Sequence, residues 1–375
     1  MGLHVGPAAP VPLAADLVEL VEQVTVTHQE GGRSGFQITL VAARDRAAGR
    51  EDVAPLLSQV FRISNRVQVT ATIGVTPHVL MDGIITNLQL TPGGDPGTGR
   101  LTVTGEDVSV MLDLYEVSMS FPGMTDSLIA MVLLAPLAAF GSIPLVFPEP
   151  YPLVELPTKS IPTLTGTYMG MLRQLAERWG YDTYYTPGPV RGVGTAYWGP
   201  PIRAGVPQAA LTWRMGAATN LGSIQFTLDG TKPKMVYGMV KEENSGVDIP
   251  VVGLPFTGQP MAALPAYVGD LPFVGLKLME RSEKGNVIAA MGRATGEVFR
   301  ANRGAATASG ELDVARYGDV LKPRSLVGVR GVGRTMDGTW YVRSTTHTIA
   351  RGSWKQSFDL EREGTIAMST SVAVR

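Results

Sequence analysis

Cysteine is absent from all 375 residues, and that one gap removes disulfide staples, thiol nucleophiles and Cys-ligated zinc together. It leaves the compartment open, because a cysteine-free chain folds in either redox environment. Histidine is scarce too. His4, His28, His78 and His347 are the only four, none stands at metal-ligand spacing from another, and there is no HExxH. His347, between Thr346 and Thr348, is expected to be a structural, hydrogen-bonded strand residue rather than a general base. Without cysteine, covalent catalysis would fall to Ser, Thr or Lys, and no G-x-S-x-G elbow is present. The glycine runs Gly328–Gly333 and Gly93–Gly99 lack a following Lys-Ser/Thr, so they are turns and not phosphate cradles. No cofactor or metal is expected.

Charge is sparse, at 17% of residues, and balanced: 32 Lys and Arg against 33 Asp and Glu give a net charge of -1. A chain with no basic excess has no general phosphate footprint, so nucleic-acid sequence recognition is not expected. One stretch, Ser127 to Pro148, carries no charge at all and approaches the roughly 20 apolar residues that cross a bilayer. Pro136, Gly141 and Pro144 interrupt it, and both flanks, Asp126 and Glu149, are acidic. It is expected to be a buried or partner-covered helix plus loop, with no stable membrane insertion. Met1 to Ala15 lacks a basic start and a long apolar run, so it is read as a flexible arm and not a secretion signal.

What the chain does have is glycine (44) and proline (27) spread among short alternating runs, which favours a turn-rich, mainly β protein of two or three domains. Val24–Val26 and Phe36–Leu40 flank Gly31-Gly32 as a hairpin, followed by strands at Val67–Val69, Leu80–Leu90 and Leu101–Val103. Five or six such strands suggest a small barrel or sandwich. The middle is α+β. Thr125-Asp126-Ser127 caps a helix to about Leu134. Tyr168, Met171, Leu172, Leu175, Ala176 and Trp179 form one apolar stripe of a helix that Gly180 ends. Pro187 to Pro207 reads as a Pro/Gly-rich loop enclosing Tyr197 and Trp198. Strands return at Leu211–Trp213, Ser223–Leu228 and Met235–Val240, with Asp229-Gly230 as the turn between the last two. Gly246–Leu276 is irregular, and Asn286–Arg303 is a helix weakened by Gly292 and Gly296. The last module, Tyr317–Gly364, is three strands turning at Asp337-Gly338 and Arg351-Gly352.

An internal repeat emerges. Val24–Leu40 resembles Leu211–Leu228, and the module at 67–107 resembles the last one. The implied layout is an arm (1–16), a first barrel (17–115), a middle α+β domain (116–208), a second barrel (209–240 plus 311–364) interrupted by an insertion (241–310), and a tail (365–375). Other features leave alternatives open. Arg324, Arg330, Arg334, Arg343 and Arg351 make a solvated basic face or meet an acidic partner. Tyr181, Tyr184, Tyr185, Tyr197, Trp198 and Trp213 form a core or a subunit interface in preference to a sugar or peptide site. The carboxylate pairs Glu106-Asp107 and Glu361/Glu363 sit at strand ends as structural charges.

Gly310-Glu-Leu-Asp313, Tyr317-Gly318, Leu321-Lys-Pro-Arg324, Val327-Gly-Val-Arg-Gly-Val-Gly333, Asp337-Gly338, His347-Thr-Ile349, Arg351-Gly352 and Gln356 to Gly364 together resemble the late-control protein D family. These are tail hub proteins of contractile phages and phage-like injection systems, similar to the N-terminal part of type VI spike proteins. Upstream, Met81-Asp-Gly83-Ile-Ile85, Gly105-Glu-Asp107, Leu172–Gly180 and Tyr197-Trp-Gly-Pro-Pro201 agree more loosely but in order. The resemblance implies signature structural positions at Gly83, Asp107, Gly331, Gly333, Asp337, Gly338, His347, Gly352, Phe358, Arg362 and Gly364. Tyr197, Trp198, Arg330 and Arg343 are candidate interface residues.

It also implies a non-enzymatic homotrimer whose two barrels per chain match a hexameric tail tube on one side and a trimeric spike on the other. Baseplate wedge proteins would be further neighbours, in a particle assembled in the bacterial cytoplasm. Only 11 residues follow Gly364, so the spike is expected to be a separate chain. The competing readings are a tail-associated cell-wall hydrolase and a sugar- or peptide-binding module.

Overall fold

A computed structural model describes residues 1–42, 60–93, 99–150, 161–232, 234–242, 245–253, 260–269, 274–279 and 287–368. The centre of the expected 91–99 loop and the tail beyond Met368 lie outside these. The first part supplies β1 (Gly2–Gly6), β2 (Val21–His28), β3 (Gly35–Val41), β4 (Arg66–Ile73), β5 (Thr76–Thr91) and β6 (Arg100–Asp107). The middle supplies β7 (Glu116–Ser120), helix α1 (Asp126–Leu134), β8 (Ser142–Val146), β9 (Thr163–Thr167), helix α2 (Tyr168–Trp179), β10 (Asp182–Pro187) and β11 (Gly194–Gly199). The last part contains β12 (Gln208–Thr212) and β13 (Leu221–Leu228). An insertion follows, with β14 (Lys234–Lys241), β15 (Asp248–Val252), β16 (Ala262–Pro265), β17 (Gly275–Leu278) and helix α3 (Val287–Asn302). The chain closes with β18 (Ala306–Asp313), β19 (Leu326–Arg330), β20 (Gly338–Ala350), β21 (Ser353–Arg362) and β22 (Gly364–Ala367).

The fold is mainly β. One sheet runs β13-β18-β21-β20-β2-β3-β6-β5-β4-β1, every neighbour antiparallel. It is two copies of one pattern. The order β2-β3-β6-β5-β4 in the first half matches β13-β18-β21-β20-β19 in the second. Each half has its own apolar core, one around Val24, Val26, Ile38 and Val103, the other around Ala308, Leu312, Val342 and Leu360. A shared device marks the equivalence. Phe36 lies opposite Gly105 on β3:β6, and Gly310 lies opposite Phe358 on β18:β21. In each pair the ring covers the glycine, and a Cβ at Gly105 or Gly310 would enter the Phe36 or Phe358 ring and a neighbouring backbone oxygen.

Several expectations are corrected. The first 16 residues are not a flexible arm. β1 pairs with β4 and buries Leu3 and Val5, two apolar side chains that suffice for an edge strand. The counterpart of the β2–β3 hairpin is not Leu211–Leu228, since β12 pairs with β19 and β13 pairs with β18. The whole insertion therefore replaces one hairpin turn, and Met235–Val240 belongs to the insertion sheet β15-β14-β17. The second half of the sheet resumes at Ala306 and not at 311. Gly246–Leu276 holds strands where irregular chain was expected. Gly194–Gly199 is a strand paired with β10 and not part of a loop.

In the middle, Thr125 Oγ1 accepts from Leu128 N at 3.4 Å to start α1, and Thr167 Oγ1 accepts from Gly170 N at 3.0 Å to start α2. Gly180 ends α2 in the left-handed region (φ 68°), where a Cβ would meet the backbone of Gly296 on α3. Gly296, a weakness in helix propensity, is thus what lets α3 approach α2. The uncharged 127–148 stretch forms α1, a short 3-10 turn and β8. Ile129, Ala130, Leu133 and Leu134 are buried, and Leu128, Met131, Ile143 and Leu145 are exposed. Among the described residues no helix is long and apolar enough to cross a membrane.

Overpacking a fitted core site costs about 1–3 kcal/mol. We expect Gly310→Val to lower stability by at least the upper part of that range in urea denaturation, and Gly105→Val to do the same. An unchanged midpoint in either variant would show that the ring-over-glycine pairs are not fitted sites.

Candidate functional site

The feature that organises this molecule is a seam. Thr345–Ala350 of β20 pairs with Gln23–His28 of β2, joining the two halves into one sheet across more than 300 residues of chain. Toward the core, His347 lies opposite Val26, and both are buried. Its Nδ1 accepts from Trp354 Nε1 at 3.4 Å, Gln356 Nε2 lies 3.5 Å from its Nε2, and the His28 ring stands edge-on at 6.1 Å. Gln356 in turn holds Leu321 by both backbone groups, at 3.1 and 2.6 Å. Burial lowers His28 to about 4, helped by the charge of Arg324, and lowers His347 to about 3, helped by His28 and His78.

The opposite face of the eight strands from β13 to β5 is polar and dominated by hydroxyl and amide side chains. It presents Gln23, Thr25 and Thr27 from β2, Gln37 and Thr39 from β3, and Thr102 and Thr104 from β6. In the second half, Thr346 and Thr348, Ser357, Ser309 and Gln225 continue it. Its charges are few: Arg100 pairs with Glu22 at 2.7 Å and Lys355 with Glu311 at 2.8 Å, while Asp313 stands opposite Lys355 and Asp359, opposite Ser309, accepts from Ser344 Oγ at 2.5 Å. A strand that alternates a buried apolar residue with a hydroxyl or amide gives one packed face and one wetted face.

A charged cluster braces the seam from the side. Arg303 reaches Asp182 at 3.3 Å, Glu361 at 3.2 Å, and Glu30, and Arg203 also grips Glu361. Arg203 lies over the rings of Tyr341 (4.9 Å) and Phe299 (5.1 Å). First half, middle domain, insertion helix and second half all contribute. Burial pushes Glu30 up to about 7 in spite of Arg303. Burial also pushes Glu361 up, but Arg203 and Arg303 outweigh it and hold its carboxyl below the usual range.

The signature residues are structural. Asp107 is buried and accepts from Ser34 N at 2.8 Å and Ser109 N at 3.0 Å. Gly83 sits on β5, against the Glu106 carbonyl, and Gly364 sits against Leu264. Gly331, Gly333 and Gly352 lie in turns, Gly338 opens β20 with a positive φ of 110°, and Asp337 accepts from Val332 N at 3.0 Å. Phe358 covers Gly310. Arg362 is fully buried and, among the described residues, makes no carboxylate pair. It donates to the carbonyls of Gly364 (2.9 Å), Asp337 (3.0 Å) and Thr335 (2.8 Å) beneath the Trp340 ring at 4.3 Å. Burial lowers its pKa to about 10.

Two interface expectations are corrected. Tyr197 and Trp198 are buried within the chain, Tyr197 stacked on Tyr184 and Trp198 donating to Leu172 O at 3.2 Å, so neither reaches a neighbour. Arg343 is exposed beside Glu361, and Arg330 is half-buried. Arg324, expected on a basic surface, is buried. It donates to Gln29 O at 2.9 Å and lies 4.0 Å over Tyr184, tying the halves to the middle domain. The sequence reading missed Arg203, Arg303 and Glu30, whose pairing is visible only in three dimensions.

Neither a protein-family model nor a curated protein matches the chain. Solved structures do. The tail protein from Neisseria meningitidis MC58 superposes with a TM-score of 0.64 at 14% identity, covering 96% of each chain. The 43 kDa tail protein of prophage MuSo2 from Shewanella oneidensis gives 0.62 at 11%, covering 97% of this chain and 99% of that one. The E. coli c3393 protein, a component of the type VI secretion system, gives 0.55 at 11%, covering 95% and 75%. The chain has the fold of these tail proteins.

The seam histidines make stability fall with acid. Their folded pKa values lie below the unfolded value near 6.5, so from pH 6.5 down to about 4 the unfolded chain takes protons that the folded chain refuses. We expect His347→Gln to flatten the decline by about 1.4 kcal/mol per pH unit, read from urea midpoints at pH 6.5 and 4.5. Parallel curves would remove His347 from the account. Arg303→Met strands buried carboxylates, and breaking a buried pair costs about 3–5 kcal/mol. A loss under 1 kcal/mol at pH 7.5 would show that the cluster does not hold the parts together.

Proposed function

We propose that this protein is the structural baseplate hub of a contractile tail or injection machine, a homotrimer that joins a hexameric tail tube to a trimeric spike. One observation carries the reading: two like halves fused into one continuous sheet with a wetted, hydroxyl- and amide-rich face, in which β13 and the Asn87–Thr91 end of β5 each leave one edge without a partner among the described residues. Like halves in one chain supply local sixfold repetition from three copies, and heterologous edges end without fibres only when a ring closes. The likeness to tail proteins and to a type VI secretion component supports the same reading.

The polar sheet face lines the passage, the tube or its initiator stacks on one rim, and a separate spike chain sits on the other. Wedge proteins meet the periphery, and the particle baseplate is the working location. The role is assembly and symmetry matching, without catalysis. A sugar- or peptide-binding module draws no support from the aromatics, because Tyr181, Tyr185, Tyr197 and Trp198 are buried in the middle domain. We expect native mass spectrometry of the purified chain to give a species of three chains. A strict monomer, even with its spike partner present, would sink the hub reading.

A further inference from the structure

The internal seam is a template for the contact between copies. In the repeat, β2 corresponds to β13 and β20 to β5, as the ring-over-glycine pairs fix. Val26 lies opposite Phe36 as Ile224 lies opposite Gly310, and His347 lies opposite Gln356 as Leu88 lies opposite Val103. Inside the chain, β20 and β2 are joined. Among the described residues their counterparts β5 and β13 have no such partner: β13 ends the sheet, and β4 pairs with β5 only up to Ile84.

Three observations mark these edges as unfinished. Val26 and His347 are 0% and 1% exposed, whereas their counterparts Ile224 and Leu88 are only partly buried and Leu90 is 40% exposed. The segments Asn87-Leu-Gln-Leu-Thr91 and Ser223-Ile-Gln-Phe-Thr227 share one polar–apolar alternation, with no proline and no charge. Two other edges are blunted, Val11–Pro12 beyond β1 by Pro12 and β8 by Pro144. Finally, the strand directions alternate through the sheet, so β5 of one copy meets β13 of the next antiparallel, as β20 meets β2.

We propose that β5 pairs with β13 of a second copy in the register of the seam, with Asn87 opposite Gln225, Leu88 opposite Ile224 and Gln89 opposite Ser223. This deepens the ring reading and rests on it. The occupant of each edge is the other edge of the same chain, and pairing would bury Leu88 and Ile224 as Val26 and His347 are buried.

The cysteine-free background makes the register directly readable. Directly opposed strand residues place their Cα atoms about 4.5–5.5 Å apart, within disulfide reach, and diagonal neighbours lie farther away. The doubly substituted chain Asn87→Cys/Gln225→Cys, oxidised with diamide, is expected to give linked dimers and trimers that collapse on reduction. Thr27→Cys/Thr346→Cys, opposed across the internal seam, serves as a positive control that closes within one chain. Linking through Gln89→Cys/Gln225→Cys but not through Asn87→Cys/Gln225→Cys would overturn the register. A native trimer that neither pair can link would overturn the β5:β13 contact while leaving the ring. A monomer without links would overturn both.

Discussion

Everything in this molecule depends on backbone pairing between β20 and β2. A strand in the interior of a sheet must satisfy its N–H and C=O groups on both sides, because an unpaired buried group costs as much as a lost hydrogen bond. β20 meets this by dividing its partners. Gly338–Tyr341 pairs with β19, and Thr345–Ala350 pairs with β2. The bulge between Val342 and Ser344 lets one strand change its alignment and serve both halves. Two domains that might have met through side chains are welded through main chain, which fixes their angle far more tightly than a packed interface would.

The weld is protected chemically on both sides. Toward the core, neutral histidines, Trp354 and Gln356 fill the joint without placing a charge there. To the side, the Arg203–Arg303 cluster spans four parts of the chain. Buried ion pairs add little net stability, since desolvation consumes much of the Coulomb gain. Their contribution here is registration, for a slip of any one part strands a charge. Arg362 acts likewise with carbonyls instead of carboxylates, holding the turn at Thr335–Asp337 to the end of β21.

Local features were legible in the sequence, and long-range ones were not. The stripe from Tyr168 to Trp179 with Gly180 behind it located α2 to the residue. Asp337-Gly338 and Arg351-Gly352 located the last hairpins. The repeat is visible too, but alternation alone matches its first hairpin to Leu211–Leu228, which is not a hairpin. The true partner of Leu221–Leu228 lies beyond an insertion of some 75 residues, and period-two alternation carries no information about which strands meet. Gly194–Gly199 was hidden by flanking Pro and Gly, and Gly2–Gly6 by having only two apolar residues. Arg324 looks like a surface charge in sequence, yet it is buried, donates to a carbonyl and lies over an aromatic face. Tyr197 and Trp198 look like interface anchors and are core.

The insertion explains why the two halves differ where they do. In the first half, a short turn after β2 carries Glu30 and leads directly into β3. In the second, the same point opens into the β15-β14-β17 sheet and α3, which returns the chain to β18 with Arg303 placed against Glu30. The elaborated turn of one half therefore grips the plain turn of the other, next to the seam. An accessory unit can grow there without disturbing strand order, because both ends of a hairpin turn are already neighbours. Its outer sheet face exposes Tyr237, Met239, Val252, Leu276 and Leu278, while Val236, Val240 and Val251 pack on α3. The repeat thus keeps its strand order and its wetted face along all eight strands and places its largest variation at the side, where the two halves can be told apart.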